Sequence, residues 1–168
     1  MFKKLIFIIL SFFYILNLSI SHGIEPDVFV QSTVNRASQI LSKNISKDQK
    51  INELKSIADE TVDIRGVAFY SLGLARKNLN EADKKKYLKL FKSYFLKSFS
   101  SRLAEYTNPE IEVIGKVILN NNYTIVNSIL IATNERPEVK IDWRIYTKNT
   151  ENPLICLLYT SDAADDRV

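Results

Sequence analysis

The stretch "KKKYLKLFKSYFLKSFSSRLAEY", Lys84 to Tyr106, decides how the chain is read. At about 100° per residue, Tyr87, Leu88, Leu90, Phe91, Tyr94, Phe95, Phe99 and Tyr106 fall on roughly half of a helix circumference. Lys86, Lys89, Lys92 and Lys97 lie opposite or at its edges. The prediction is one long amphipathic helix with a strong, aromatic apolar face. Such a helix can lie on a membrane, grip nucleic acid, pack on a protein core or line a cavity for something greasy. Arg102 falls inside the apolar face, where its stem can pack while its head reaches a carboxylate, a phosphate or water.

The flanking sequence supplies something for that face to pack on. Pro26 and Asp27 open a first helix to about Ser42, with Phe29 or Val30, Val34, Ala37 and Leu41 at helical spacing. Ile51, Leu54 and Ala58 mark a second. Gly66 and Gly73 interrupt "IRGVAFYSLGLARKNL", so short helices with a bend are expected there. Asn80 is placed to cap the long helix, with Glu81 and Asp83 favourable in its first turn. Pro109 closes the helical half.

Alternation then takes over. "EIEVIGKVIL" puts Ile111, Val113, Gly115, Val117 and Leu119 on one face. Asn120–Asn122 turn the chain into "YTIVNSILIAT", with Tyr123, Ile125, Asn127, Ile129 and Ile131 on one side and Val126 on the other. "VKIDWRIYT" is a third strand, and Leu154-Ile155 reads as a fourth cut short. Helices followed by a strand meander indicate an α+β fold with an antiparallel sheet. Phe91, Phe95 and Phe99 are expected to face Val113, Val117, Ile129 and Trp143 across a helix–sheet interface.

The two ends differ from the middle. Residues 1–23 read as a cleaved secretory signal peptide: Lys3 and Lys4, an apolar run from Leu5 to about Leu16, then Ser19, Ser21 and Gly23. The mature chain would work outside the cytoplasm. Residues 156–168, "CLLYTSDAADDRV", lack the Lys, Ile and Asn that dominate before them and resemble translated sequencing-adapter read-through. They are expected to pack poorly and add no buried core. What lies between, 24–155, is one domain's worth of chain.

Chemistry is scarce in that domain. The formal charge is +4 for the whole chain and +4 again for residues 24–155, too balanced to argue for nucleic acid. His22, the one histidine, lies at the leader boundary, so histidine triads and histidine metal sites drop out. Four glycines form no phosphate loop. Cys156, the one cysteine, lies in the tail. Asp59, Glu60 and Asp63 have the types of acid/base or calcium-binding residues, but their setting is that of a solvated helix end. Trp143 and Arg144 alternate along a strand as core and surface do. No catalytic residue, metal or cofactor is expected.

The order of these features resembles the MlaC family of periplasmic phospholipid-binding proteins, also called toluene-tolerance or Ttg2-type. The resemblance rests on Asp63, Ile64, Leu72 and Gly73, on the "NEADKKKYLKLF" entry to the long helix, on Leu103 and Tyr106 at its end, and on "WRIY", Trp143–Tyr146. It departs at Leu74-Ala75, where the family often has an aromatic pair, and after "NPLI", where the family's last strand and C-terminal helix are absent.

The resemblance implies an NTF2-like curved sheet with a lipid cavity between helices and sheet. It implies a monomeric periplasmic carrier, not an enzyme. Such a carrier moves phospholipid between an outer-membrane lipoprotein–porin complex and an inner-membrane ABC transporter complex, which maintains outer-membrane lipid asymmetry. The lipid-contacting set is then expected among Phe69, Tyr70, Tyr87, Phe91, Tyr94 and Phe95, with Phe99 and Tyr106, and from the strands Val113, Val117, Ile129 and Trp143. Lys85, Lys89 and Lys92 would serve docking, with transient contact to the membrane surface. Two alternatives stay open on the residues alone. One is a small NTF2-like enzyme using Asp63, Arg102 or Asp142. The other is a periplasmic chaperone or adaptor that binds apolar polypeptide.

Overall fold

The computed structural model describes residues 23–134 and 136–162. The leader expected at 1–23 lies, but for Gly23, outside the described residues. No helix among them is long and apolar enough to cross a membrane. Local signals set the helix boundaries. Pro26 starts α1 (Pro26–Ser42), where a missing N–H costs nothing. Ser46 and Gln49 form a capping box that opens α2 (Lys47–Thr61). Asp63 accepts the Gly66 amide at 2.8 Å and caps α3 (Ile64–Leu72). Gly73 ends α3 at φ +54°, a conformation that favours glycine, and begins a 3-10 turn (Gly73–Lys77). Asn80 accepts the Asp83 amide at 2.9 Å and starts α4 (Glu81–Leu103).

Four strands follow: β1 (Ile111–Asn120), β2 (Tyr123–Leu130), β3 (Val139–Tyr146) and β4 (Leu154–Asp162). They form one antiparallel open sheet in the order β1-β2-β3-β4, so the α+β expectation holds. Helix α1 lies on the sheet's inner face. Val30 and Val34 pack with Val126, Trp143, Ile145 and Ile155, which form the main core. Gln31 ties α1 to edge strand β1, accepting the Val113 amide at 3.0 Å and donating to the Ile111 carbonyl at 3.2 Å. A second cluster joins Ile40 and Leu41 of α1 to Leu54 and Ile57 of α2.

Three expectations are corrected. The first concerns β2. Thr124, Val126 and Ser128 form its buried face, while Tyr123, Ile125, Asn127 and Ile129 are half-buried on the other. Ser128 can be buried because its hydroxyl accepts the Trp143 Nε1–H at 2.7 Å. The register shift in β1 after Val113 likewise leaves only Ile111 and Val113 half-buried on that strand, and Val117 is 58% exposed.

The second concerns α4. It packs chiefly on α2 and α3 rather than across the sheet. Its apolar arc is therefore divided. Leu90 and Tyr94 face outward, while Tyr87, Phe91, Phe95 and Phe99 form a half-buried stripe. Successive ring centroids along that stripe are 5.7, 6.1 and 5.3 Å apart. The expected meeting of all three phenylalanines with the sheet does not occur, because α4 is carried on α2 and α3.

The third concerns the tail. Residues 156–162 continue β4 and pair with β3, and Leu158 packs against the main core. The fourth strand is thus longer than the two residues expected. A parallel bridge between Val62 and Ile155, with the Asp63 amide donating to the Ile155 carbonyl at 2.9 Å, pins the α2–α3 junction to this strand. Cys156 is half-buried. Burial, and then the charge of Asp63, push its thiol up to about 11 from an ordinary 9.0. A neutral thiol is a poor nucleophile, so folded Cys156 should alkylate at pH 8 at least tenfold more slowly than in denaturant. The folded form holds the thiol proton more tightly, so this group's contribution to stability is full below pH 9.0 and is lost as pH rises toward about 11. Equal alkylation rates in both states would show that β4 is not packed as described.

Candidate functional site: an apolar cavity

Between the helices and the inner face of the sheet lies a cavity of about 450 Å³. Helix α1 contributes Thr33, Val34, Ala37 and Leu41, and α2 contributes Leu54, Ile57, Ala58 and Thr61. The end of α4 adds Phe99, Arg102 and Leu103, followed by Tyr106 and Pro109. The sheet floors it with Ile111, Leu130, Ile141, Trp143, Ile155 and Leu158. The elements explain the shape. Helix α1 touches the sheet directly, and α4 is carried on α2, so the last turns of α4 stand off from the strands. Small side chains at Ala37 and Ala58 leave the space between unfilled.

The lining is apolar in effect as well as in residue type. Thr33 donates its hydroxyl to the Phe29 carbonyl at 2.8 Å, and Thr61 donates to the Ile57 carbonyl at 2.7 Å. Both hydroxyls are thereby committed to their own helices. Ser38 donates to the Pro109 carbonyl at 2.9 Å, and the Trp143 indole is bonded to Ser128. Arg102 is the one charged residue in the lining, and it is exposed, so it stands at the mouth. At ~30 Å³ per water-sized group, the cavity has room for roughly fifteen such groups. That is the bulk of one acyl chain. Burying ~16 methylenes at ~0.8 kcal/mol each is worth roughly 12 kcal/mol.

Of the residues singled out in the sequence, Phe99, Tyr106 and Trp143 line this cavity. The others sit elsewhere. Tyr87 lies within 3.0 Å of the Ser71 hydroxyl, and Phe91 and Phe95 fill the stripe between α4 and its helical neighbours. Phe69 lies under the Arg65 guanidinium at 5.1 Å, and Tyr70 and Tyr94 are 72% and 70% exposed. Val113 packs on the main core outside the cavity lining. Val117 and Ile129 occupy the outer face of the sheet, where Ile129 pairs with Lys140 and Ile125 with Val117. Lys85 and Lys89 are exposed, whereas Lys92 is paired with Asp59.

The residues missed are those of α1 and α2. Their helical periodicity was visible, but nothing in it distinguishes a wall from ordinary core. The alanines at 37 and 58, small residues on an otherwise large-residue face, are the one signal that could have pointed there. Among the described residues no group of His, Cys, Asp or Glu could hold a metal ion. The carboxylates near the helix ends are engaged: Asp59 with Lys92, Glu60 with Arg36, Asp63 with the α3 cap. The Arg36 hydrogen bond holds the Glu60 carboxyl below its usual range.

The family model described as MlaC protein matches residues 31–155. The chain belongs to the MlaC family. Every cavity residue named above except Leu158 falls within the matched segment. Among solved structures, the fold is similar to that of a phospholipid-binding protein from Ralstonia solanacearum, determined in complex with a phospholipid. The TM-score is 0.66 at 12% identity, over 82% of this chain and 78% of that one. At that identity the likeness is one of fold. A search of curated proteins finds no match.

The cavity makes a direct prediction for this MlaC-family chain. Ala37→Phe, at a half-buried position of the lining, aims a ring into space that already exists, so it should avoid most of the ~1–3 kcal/mol that overpacking a filled core costs. Acyl-chain binding, measured by displacement of a fluorescent fatty acid, should fall at least tenfold with the melting temperature unchanged or higher. Undiminished binding would mean that the cavity is not where the chain goes.

Proposed function

We propose that this chain is a soluble phospholipid carrier of the periplasm. It would shuttle lipid between an outer-membrane lipoprotein–porin complex and an inner-membrane ABC transporter complex, and so maintain outer-membrane lipid asymmetry. The observation that carries the reading is the cavity: about 450 Å³, walled by apolar side chains, with the Thr33, Ser38 and Thr61 hydroxyls bonded back to backbone carbonyls and its one charge at the mouth. Such a site suits acyl chains and offers little to a polar reactant. Family membership and a lipid-binding fold relative support the same reading.

The three residues weighed for an enzyme argue against one. Asp63 caps α3. Asp142 accepts from Asn127 Nδ2 at 2.8 Å and pairs in register with it on the outer face of the sheet. Arg102 is exposed at the mouth. None is a polar group deep in the pocket.

Native mass spectrometry of the chain purified from a bacterial periplasm should find phospholipid bound at near one lipid per protein. Bound peptide in its place would support the adaptor reading, and an empty pocket would refute the carrier.

For docking, Lys85 and Lys89 remain available on α4, while Lys92 serves Asp59. Their attraction to anionic surfaces would act over ~8 Å at physiological salt and would raise encounter rates more than affinity. Lys85→Glu with Lys89→Glu should slow lipid transfer between vesicles bearing the partner complexes, most at low salt, and leave bound lipid in place. Transfer rates unchanged at every ionic strength would make these lysines solvated surface only.

A further inference from the structure

The outer side of α4 carries apolar and charged groups that neither the core nor the cavity uses. Residues four apart on a helix stand one above the other. Lys86, Leu90, Tyr94, Ser98 and Arg102 form one such ridge, and all five are exposed. Its last two members line the cavity. Leu90 and Tyr94, the two before them, are 61% and 70% exposed. Beside this ridge runs a second, made of Lys85, Lys89, Ser93 and Lys97, likewise exposed throughout.

The charge on this face has one sign. No acidic residue follows Asp83 on α4. Lys84 pairs with Glu81 and Lys92 with Asp59. Lys85, Lys86, Lys89, Lys97 and Arg102 form no ion pair among the described residues.

The outer face of an ordinary surface helix is polar throughout. Here a leucine and a tyrosine stand at its crest, flanked by lysines. An interfacial helix has the same order. Its apolar groups enter the headgroup layer, tyrosine sits at the boundary with water, and lysines meet lipid phosphates. The uniform charge is complementary to an anionic surface. The direction of the ridge suits a lipid carrier. From Lys86 to Arg102 the helix rises about 24 Å, at 1.5 Å per residue. Laid along a bilayer on this ridge, α4 brings Ser98 and Arg102, at the mouth of the cavity, down to the headgroups.

We propose that the outer face of α4 docks the chain directly on an anionic bilayer, with Leu90 and Tyr94 in the headgroup layer and the cavity mouth turned to the lipid. This rests on the carrier reading above and adds a membrane contact that needs no partner complex. Leu90 and Tyr94 are its apolar anchors, and the lysines of the neighbouring ridge supply the attraction.

The test uses the full chain and vesicles free of protein. Co-sedimentation is measured with vesicles of equal parts phosphatidylglycerol and phosphatidylcholine, and with phosphatidylcholine alone. The unaltered chain should partition onto the anionic vesicles about tenfold more strongly or better, and the preference should shrink as salt rises. Leu90→Gln with Tyr94→Gln should lower partition onto the anionic vesicles about tenfold. Both residues lie outside the cavity lining, so this variant should keep its melting temperature and its bound phospholipid, the latter read by native mass spectrometry. Lys86→Gln with Lys89→Gln and Lys97→Gln should weaken the preference for anionic over neutral vesicles. No partition by the unaltered chain, or partition unmoved by the paired Leu90 and Tyr94 substitutions, overturns the docking face and leaves the carrier standing. Sedimentation only with vesicles that carry a partner complex would assign this face to a protein and likewise overturn the bilayer contact. Phospholipid absent from the unaltered chain while docking persists would count against the carrier reading alone.

Discussion

The contact of α1 with the inner face of the sheet is the constraint on which the rest depends. Val30 and Val34 close against Val126, Trp143, Ile145 and Ile155, and Gln31 fastens the helix to the backbone of β1. That contact fixes the spacing of the helical layer. Helix α2 packs beside α1, and α4 rides on α2 and α3, so its C-terminal turns cannot descend to the strands. The gap beneath them is the cavity. Filling it with protein would require large side chains at Ala37 and Ala58. The chain instead keeps small ones there and accepts an unfilled volume that ordinary cores avoid. An apolar void of this size loses dispersion contacts around its whole lining, and an acyl chain restores them.

The same arrangement explains why polar residues do not spoil the site. A threonine hydroxyl turned into an apolar cavity would be costly without a partner. Thr33 and Thr61 avoid this by bonding to the carbonyl four residues back on their own helices. Trp143 carries its indole N–H to Ser128, inside the sheet's own face. The charged groups of the helical layer lie outside. Arg36 with Glu60 and Lys92 with Asp59 are exposed pairs that tie helices together at their solvent edges. Pairs of this kind contribute little to stability, typically under ~1 kcal/mol each. They act on register.

Helix boundaries were legible in the sequence because each is written locally. Pro26, Ser46, Asn80 and Gly73 act on their own backbone, whatever surrounds them. The order of strands followed from short connections and alternation. The faces were harder to read. In β2 both sets of alternate residues contain apolar members, and Tyr123, Ile125 and Ile129 outweigh Val126 by bulk. What settles the inner face is α1, a partner 90 residues away in sequence, together with the Trp143–Ser128 hydrogen bond. The long helix misled for a related reason. Its aromatic arc is wide enough to suggest one large interface, yet it meets two helices along one stripe and leaves Tyr94 and Leu90 outside. Residues 156–162 extend a strand expected to be two residues long: a run of apolar residues next to the open edge of β3 is enough to pair, though none of 156–160 is fully buried.

The central claim is that an acyl chain occupies the space between α1, α2, the end of α4 and the sheet. Trp143 is the chain's single tryptophan and forms part of the cavity floor, so its fluorescence reports on that space alone. Phosphatidylglycerol brominated near the middle of its acyl chains should quench Trp143 strongly on binding to the lipid-free chain, because bromine quenches only near contact. The same lipid brominated in no chain should bind and leave the emission intact. Full binding of the brominated lipid without quenching would contradict the account, since the acyl chain would then lie away from the floor of the cavity.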